Sequence, residues 1–529
     1  MKIRKSETYL VVSSAHLGVS TDILKVFSQV VKTFGAKVFH IGDIESQDEK
    51  KQRKSLSEDI KTLNQRMEDF TDSTRESTRD KVYDELNEKE HDLKVVQGEV
   101  LDRLRLVQKT LGAVTFILPA DSNFPMPADL PAEYDEFVLS KYLMLSAMQP
   151  VSDVSTLRPV NRNAIHALKQ YGGTFSWIVP HPIPAVVPYP RPGLNNTHNY
   201  YSVGSLKTVE QPTTRKNAYI ASHSPAAMLV IVDQENGEFH AVHLHVDYVE
   251  KKGYRKSKPL VLYDGLCFTV DGVKEVESKD RAVFVSDEHE PFHHSGVLGA
   301  TRVLNNLFQP YTFINGGDAS DCTPVSRHEL DKPGSMEGLR ISTMLTGLQK
   351  LLAAQTECDS IKERILIDSN HAEWLTGFVE TFPQLKGLID WETVAKTYFP
   401  DWTVRLRNPD ASSMPYKFGD YSVRHGDQES LTKAEHIFDN GKYLCGHFHR
   451  HQGVRRMVTV GCGCELNPPY MKHKISDWQN QVTTMTKYSG TTAIAPKIVL
   501  HDKARNFSRF VYRNQIYEIV RYYTNRKKS

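Results

Sequence analysis

The sequence predicts an α/β protein built from two tandem α/β sandwich domains, the first carrying a long helical hairpin insertion. Three observations carry that prediction. The chain opens strand, helix, strand over Tyr9–Ser13, Thr21–Phe34 and Lys37–Ile41, the unit from which parallel sheets are built. In the second half, a series of short apolar stretches each runs into a polar tip rich in Asp, Asn and His. The first half repeats that series of tips in the same order.

A length of 529 residues exceeds what one hydrophobic core usually serves, so two domains are expected, 1–274 and 275–529. Hydrophobic content of 39% and charged content of 25% describe a globular protein. A formal net charge of +2 gives no global footprint for nucleic acid, so any such contact is a local patch. Six cysteines (Cys267, Cys322, Cys358, Cys445, Cys462 and Cys464) are too sparse for a disulfide framework, which points to a reducing compartment. Met1–Glu7 is polar and leads straight into a strand, so no signal peptide is expected, and no apolar run approaches a membrane span. A cytoplasmic location, the host cytoplasm for a viral protein, follows as an expectation.

After Lys37–Ile41 the chain reads Gly42-Asp43, and from about 46 to 111 it turns dense in Lys, Glu, Asp, Arg and Gln, without proline. Leu56, Ile60, Leu63, Met67 and Phe70 recur at spacings of four and three, as do Leu93, Val96, Val100, Leu104 and Val107. Thr71–Thr78 interrupts the pattern. Two readings fit equally: an antiparallel hairpin arm used for self-association, or one long solvated helix lying along the domain. Strands follow at Val114–Leu118 and Thr174–Val179, with a helix at Asn163–Tyr171 between them and an extended stretch at Tyr200–Leu206 after them. Met228–Asp233 and Phe239–Val246 flank Glu235-Asn236-Gly237, a hairpin signal, and Leu260–Val270 forms a last hairpin.

The second half opens with Val283-Phe-Val-Ser-Asp287-Glu-His289, and helix Gly296–Leu307 follows. Strand Tyr311–Asn315 ends in Gly316-Gly317-Asp318, and helix Met336–Gln355 leads to strand Arg364–Ile367, ending in Asp368-Ser369-Asn370-His371. Tyr421–His425 ends in His-Gly-Asp, and Lys442–Cys445 ends in Gly446-His447-Phe448-His449. Strands Lys497–His501 and Arg509–Ile519 finish the chain.

Carboxylate, carboxamide and imidazole together suit Mn, Fe or Zn, and the absence of a cysteine cluster argues against a structural zinc. Open α/β sheets bind ligands at strand carboxyl ends, where all these tips fall. In this order the set Asp287-x-His289, Gly317-Asp318, Asn370-His371, His425 and Gly446-His447-x-His449 resembles the calcineurin-like metallophosphoesterase superfamily over roughly residues 280–500. The resemblance implies a two-metal phosphoesterase. Asp287, His289 and His449 then hold one divalent ion, Asn370, His425 and His447 the other, and Asp318 bridges. His371 serves as the acid near the leaving group. Mn is the expected ion, with Mg, Fe or Zn as alternatives. Two departures stand out: Ser369, where the family usually has glycine, and Ala372, where it often has Asp or Glu.

The loop after Asp318 reads Ala-Ser-Asp321-Cys-Thr-Pro-Val-Ser-Arg327-His328. It is similar to phage-encoded members, including the early DNA-degrading nucleases of Tequintavirus-type phages. By that resemblance Arg327 and His328 meet a substrate phosphate, which a guanidinium fork fits; a surface Arg and a loop His is the plainer reading. Cys322, Cys445, Cys462 and Cys464 lie near the motifs and are read as packing. The C-terminal run Arg505–Lys528 interleaves basic and aromatic residues, a pattern that suits either an edge strand or a nucleic-acid contact.

In the first half, Ser14-Ala-His16 parallels Asp287-Glu-His289, Gly42-Asp43 parallels Gly317-Asp318, and Asp121-Ser122-Asn123-Phe124 parallels Asp368-Ser369-Asn370-His371. His181 parallels His447, but Ser14, Phe124 and Ile183 replace a carboxylate, the catalytic His and the last His. A duplicated, degenerate copy is expected. The function expected is a DNase acting early in phage infection, on DNA and as a homo-oligomer. A metal-dependent phosphatase or nucleotide phosphodiesterase is the alternative enzyme, and an oligomeric interaction scaffold the alternative of another class.

Overall fold

The computed structural model describes residues 1–13, 19–42, 44–45, 47–71, 74–119, 122–147, 175–189, 197–206, 224–249, 258–326, 338–405, 415–426, 442–454, 456–468, 471, 476–502 and 504–520. Ser14, His16, Asp43, Asp121, helix Asn163–Tyr171, Arg327, His328 and the tail after Val520 lie outside the described residues.

The fold is mixed α/β. In the second half, Arg281–Val285 pairs in parallel with Thr312–Asn315, which pairs in parallel with Glu363–Ile367 and that with Thr403–Arg405. On its other side Arg281–Val285 pairs antiparallel with Gln481–Tyr488, and that with Thr491–Ile498. The first half has the same order: Ser6–Ser13, Lys37–Ile41, Val114–Leu118 and Ala132–Tyr134 run parallel. Ala226–Asp233 and Phe239–Val249 follow antiparallel on the other side of Ser6–Ser13.

The second sheet of each half repeats as well. Tyr416–Phe418, Tyr421–Arg424, Tyr443–Cys445, Met457–Thr459 and Gln452–Val454 form one five-strand set. Glu136–Ser140, Leu143–Ser146, Ser176–Val179, His198–Ser202 and Ala185–Tyr189 form its counterpart, with the same directions. Gln452–Val454 and Ala185–Tyr189 pair antiparallel, so the two sets make one continuous ten-stranded sheet. The halves are therefore copies in topology and share a sheet. A further sheet joins the chain's ends, where Lys2–Arg4 pairs with Gln515–Val520.

Alternation explains each sandwich. In the second half Ala282, Phe284, Ile314, Ile365, Ile367, Val423, Leu444 and Met485 face one another between the sheets. Each of these side chains larger than alanine is worth about 1.5–3 kcal/mol when fully buried. Tyr9, Val11, Phe39, Ile41, Leu143, Leu145, Ile178 and Met228 do the same in the first. Helices cover the outer faces. Thr21–Phe34 is capped by the Ser20 hydroxyl, which accepts from Ile23 N–H, and stops at Gly35, whose φ of 61° suits a left-handed cap.

The charged segment folds as two helices, Gln47–Glu68 and Glu76–Leu111, which pack on each other, so it is a hairpin. Its apolar stripe divides. Leu63, Val82 and Leu86 pack within the hairpin, whereas Val100, Leu104, Val107 and Leu111 join the core of the first half. The single strand expected over Arg509–Ile519 is a hairpin of Phe507–Tyr512 and Gln515–Val520, turning at Arg513 with φ 54°. Arg509 is buried against Glu518 and Glu238, which makes it structural and unable to meet a phosphate. No helix among the described residues is long and apolar enough to cross a membrane.

Candidate metal centre

Three tips of the inner sheet and two of the shared sheet converge. Asp287, His289, Asp318, His425 and His449 are buried, and His371 and His447 lie at the rim of the cluster, half-buried. Five of these, Asp287, His289, Asp318, His447 and His449, have φ between 47° and 71°. Left-handed backbone at non-glycine residues costs on the order of 1–3 kcal/mol each and gathers where a site requires it. Two glycines make room. A Cβ on Gly317 would lie 2.8 Å from His425 Nδ1, and one on Gly446 would lie 2.5 Å from Asp287 Oδ2.

The donors fall into overlapping groups: Asp287, His289 and His449; His289, Asp318 and His371; Asp318, His425 and His447. Within each group the ligand atoms lie inside 4.8 Å of one another. His449 Nε2 is 3.2 Å from Asp287 Oδ1 and 3.2 Å from His289 Nε2. On the other side Asp318 Oδ2 is 3.2 Å from His425 Nε2, and Asn370 Oδ1 is 2.9 Å from His425 Nε2 and 3.2 Å from His447 Nδ1. All seven residues expected as ligands are thus brought together, and His371 stands beside them, its Nε2 3.9 Å from Asp318 Oδ2.

Surrounding groups orient these side chains. His425 Nδ1 is 2.9 Å from the Gly316 carbonyl, which fixes the tautomer that turns Nε2 inward. His447 N–H donates to both oxygens of Asp287, at 2.9 and 3.0 Å. Helix Asn370–Thr381 begins at Ser369 without a side-chain cap, and His371 N–H donates instead to Asp318 Oδ1 at 3.2 Å. A carboxylate at a helix N-terminus is electrostatically favoured.

Burial opposes ionisation of Asp287 and Asp318, yet neighbouring imidazoles outweigh it: His449 lowers Asp287, and His425, His371 and His289 hold Asp318 well below the usual range. Burial works equally against charge on His425 and His449, but Asp318 lifts the first to about 9 and Asp287 the second to about 10. His371 and His447 move the opposite way, chiefly through burial. Two ionised carboxylates are therefore balanced by two imidazolium groups. A bound cation supplies the same positive charge and frees both rings as ligands, so this donor set fits divalent ions.

Several contributors were not assigned from the sequence. Asp321 Oδ1 lies 3.1 Å from His289 Nδ1, and its carbonyl oxygen lies 2.8 Å from His371 Nδ1, so it positions two rings. Trp374 stacks on His371 with ring centroids 4.0 Å apart, and Trp478 lies 4.0 Å from His449. One helical turn separates His371 from Trp374, a spacing visible in the sequence; nothing local marks Trp478. Cys462 and Cys464, read above as packing, form a further donor group with His449. Cys322 and Cys445 do sit in apolar clusters.

No protein-family model matches the chain, and no curated protein matches it in sequence. The reading of the centre therefore rests on its own geometry.

Among the described residues, the equivalent tips of the first half hold different chemistry. Phe124 is buried in the core, with the Arg53 guanidinium 5.6 Å from its ring centroid. Arg53, from the first helix of the arm, pairs with Glu45 at 2.6 and 2.9 Å and donates to the Ser122 and Asn123 carbonyls at 2.6 and 3.3 Å. His181 accepts from Ile183 N–H at 3.1 Å, and burial lowers its pKa.

Proposed function

We propose that this chain is a two-metal phosphodiesterase of the calcineurin-like metallophosphoesterase type, and that it is a deoxyribonuclease. Both halves then descend from that sandwich, 1–274 degenerate and 275–529 catalytic. The observation that carries the proposal is the position of Asp318, whose Oδ2 lies 3.8 Å from His289 Nε2 of the first set and 3.2 Å from His425 Nε2 of the second. Asp287, His289, Asp318 and His449 would hold one ion, and Asp318, Asn370, His425 and His447 the other. Mn2+ suits the mixed set best, with Mg2+, Fe2+ or Zn2+ as alternatives. Such a pair supplies Lewis-acid charge on both sides of a phosphoryl group.

The chain's own residues do the rest. Nδ1 of His371 donates to the Asp321 carbonyl, so Nε2 is the atom that carries a proton to the leaving oxygen. Burial keeps this ring neutral when alone, and a phosphodiester seated beside it favours the imidazolium. Trp374, stacked on the ring, holds its plane. DNA is the proposed substrate, with Arg327 and His328 as phosphate contacts, and the cytoplasm, the host's for a viral chain, as the place of action. The arm is proposed to join copies of the chain, since Tyr83 and Val95 stand about half exposed on its second helix.

The deciding experiment is cleavage of linear and circular DNA with Mn2+, Mg2+ or EDTA. Turnover with Mn2+ that chelation abolishes is expected. Full turnover after exhaustive chelation refutes the metal requirement. Inertness on DNA with Mn2+-dependent cleavage of a simple aryl phosphodiester refutes the substrate and leaves the chemistry standing.

A further inference from the structure

Cys462 and Cys464 are the two cysteines that packing does not explain. Cys267, Cys322, Cys358 and Cys445 each lie in or against an apolar cluster. Cys462 and Cys464 are fully buried yet belong to none of the clusters among the described residues. Their neighbours are polar. The amide nitrogen of Asn480 donates to the Cys464 carbonyl at 2.7 Å and to the Cys462 carbonyl at 3.1 Å. Cys462 N–H donates to the Gln479 carbonyl at 2.8 Å, and Gly463 N–H to the Ser286 carbonyl at 2.9 Å. The intervening glycines are sterically required: a Cβ on Gly461 would lie 2.1 Å from the Gln479 carbonyl oxygen, and one on Gly463 2.6 Å from Glu288 Cγ. The Gly-Cys-Gly-Cys loop is thus pinned on both sides, with its two thiols beside His449.

His449 faces two donor sets with its two nitrogens. Nε2 points to Asp287 and His289, at 3.2 Å from each. Nδ1 lies 3.9 Å from Cys464 Sγ. His449, Cys462 and Cys464 offer ligand atoms within 4.8 Å of one another. Two sulfurs and one imidazole select soft or borderline cations, whereas Mn2+ and Mg2+ favour oxygen.

We propose that Cys462, Cys464 and His449 form a separate site for a thiophilic dication such as Zn2+ or Cd2+, and that filling it inhibits the neighbouring centre through the shared His449. Binding converts both thiols to thiolates and displaces the proton on His449 Nδ1, and all three protons pass to solvent. Three protein donors leave a fourth position for water or a small anion. A cation on Nδ1 competes with the first ion for the ring: seating Nδ1 against the two sulfurs draws Nε2 away from Asp287 and His289, so the first ion is held less well. The binding claim stands on the loop alone; the inhibition rests on the phosphodiesterase reading.

Titration of the full chain with Cd2+, followed by thiolate-to-cadmium charge-transfer absorption, tests it. The expected result is a band that saturates at one equivalent and is absent from Cys462→Ser/Cys464→Ser. That variant should keep its far-ultraviolet circular dichroism and its Mn2+ loading. The Cd2+ concentration that half-inhibits Mn2+-supported turnover should rise by at least the about 10–100-fold that loss of even an outer partner costs a metal site. Should the double variant misfold, Cys462→Ala and Cys464→Ala alone must each weaken the band. No band in the wild type, or a band that survives both cysteine changes, overturns the site. A band with no effect on turnover overturns the coupling. A chain inert on every phosphodiester removes the proposed activity and leaves the spectroscopic test intact.

Discussion

The two halves of this chain repeat one topology and, among the described residues, carry different side chains at its strand ends. In the second half, Asp318 sits at the end of Thr312–Asn315 among four imidazoles, with His371 at its edge. In the first half, the corresponding rim holds Phe124, the Glu45–Arg53 pair and two backbone carbonyls. Glu45 and Arg53 are about 5–6% exposed and satisfy each other, so that end is closed by a salt bridge. The same scaffold thus gives a cluster of carboxylates and imidazoles that fits cations in one half and, among the described residues of the other, a carboxylate matched by a guanidinium. Position in the fold does not decide chemistry; the side chains at the tips do.

If that contrast is right, matched changes in the two halves should have different readouts. His371→Ala should lower turnover by about 10²–10⁴ while metal content stays unchanged, since the role proposed for the ring is proton delivery to the leaving group. Metal analysis showing an emptied centre would make His371 a ligand and overturn its assigned role. Arg53→Ala, at the matching rim of the first half, should cost about 3–5 kcal/mol of stability, since it leaves Glu45 buried and unpaired. Its bound metal should not change. Denaturant unfolding measures the first and mass spectrometry the second; a drop in metal with unaltered stability would mean that the first copy is chemically active.

Buried histidines sharpen the same comparison. Carboxylates lift His425 and His449, whereas His240, on strand Phe239–Val249, is pushed down to about 3 by burial, with Lys497 and Arg509 adding to it against Asp233. A folded pKa below the unfolded value of about 6.5 gives stability that is full above that pH and lost as pH falls from there toward the folded value. The loss is at most about 1.4 kcal/mol per pH unit from this one ring. His240→Phe should therefore flatten the acid limb of the stability profile below pH 6.5, with little change above it. Unfolding midpoints across that range check this, and an unchanged acid limb would discount the burial of His240 as a source of acid sensitivity.

The clustering of the candidate ligand residues was legible because each follows a short apolar strand, and strand ends converge in an open sheet. The helix Thr21–Phe34 and the strands Lys37–Ile41 and Val114–Leu118 were legible from periodicity alone. What the pattern hid came from distant parts of the chain. Arg53 reads as one more charge on a solvated helix, yet it enters the rim of the first half some 70 residues from Ser122 in sequence. Val100, Leu104 and Val107 read as one stripe with Leu93, but they pack on the body of the first half. Cys462 and Cys464 read as small apolar residues because their partners, His449 and Asn480, are brought close only by the fold. The hairpin Gln481–Tyr488 and Thr491–Ile498 was missed because its threonines are buried beside its apolar residues, which weakens the alternation that marks a strand.

One carboxylate is proposed to organise two ions in the second half, and the first half to hold none. The most direct measurement is metal stoichiometry of the full chain after Mn2+ loading, by mass spectrometry under native conditions, for the wild type and Asp318→Ala. Two ions per chain are expected in the wild type and loss of both in Asp318→Ala, with turnover falling to background. One ion in the wild type, or two ions that survive Asp318→Ala, would contradict the proposal.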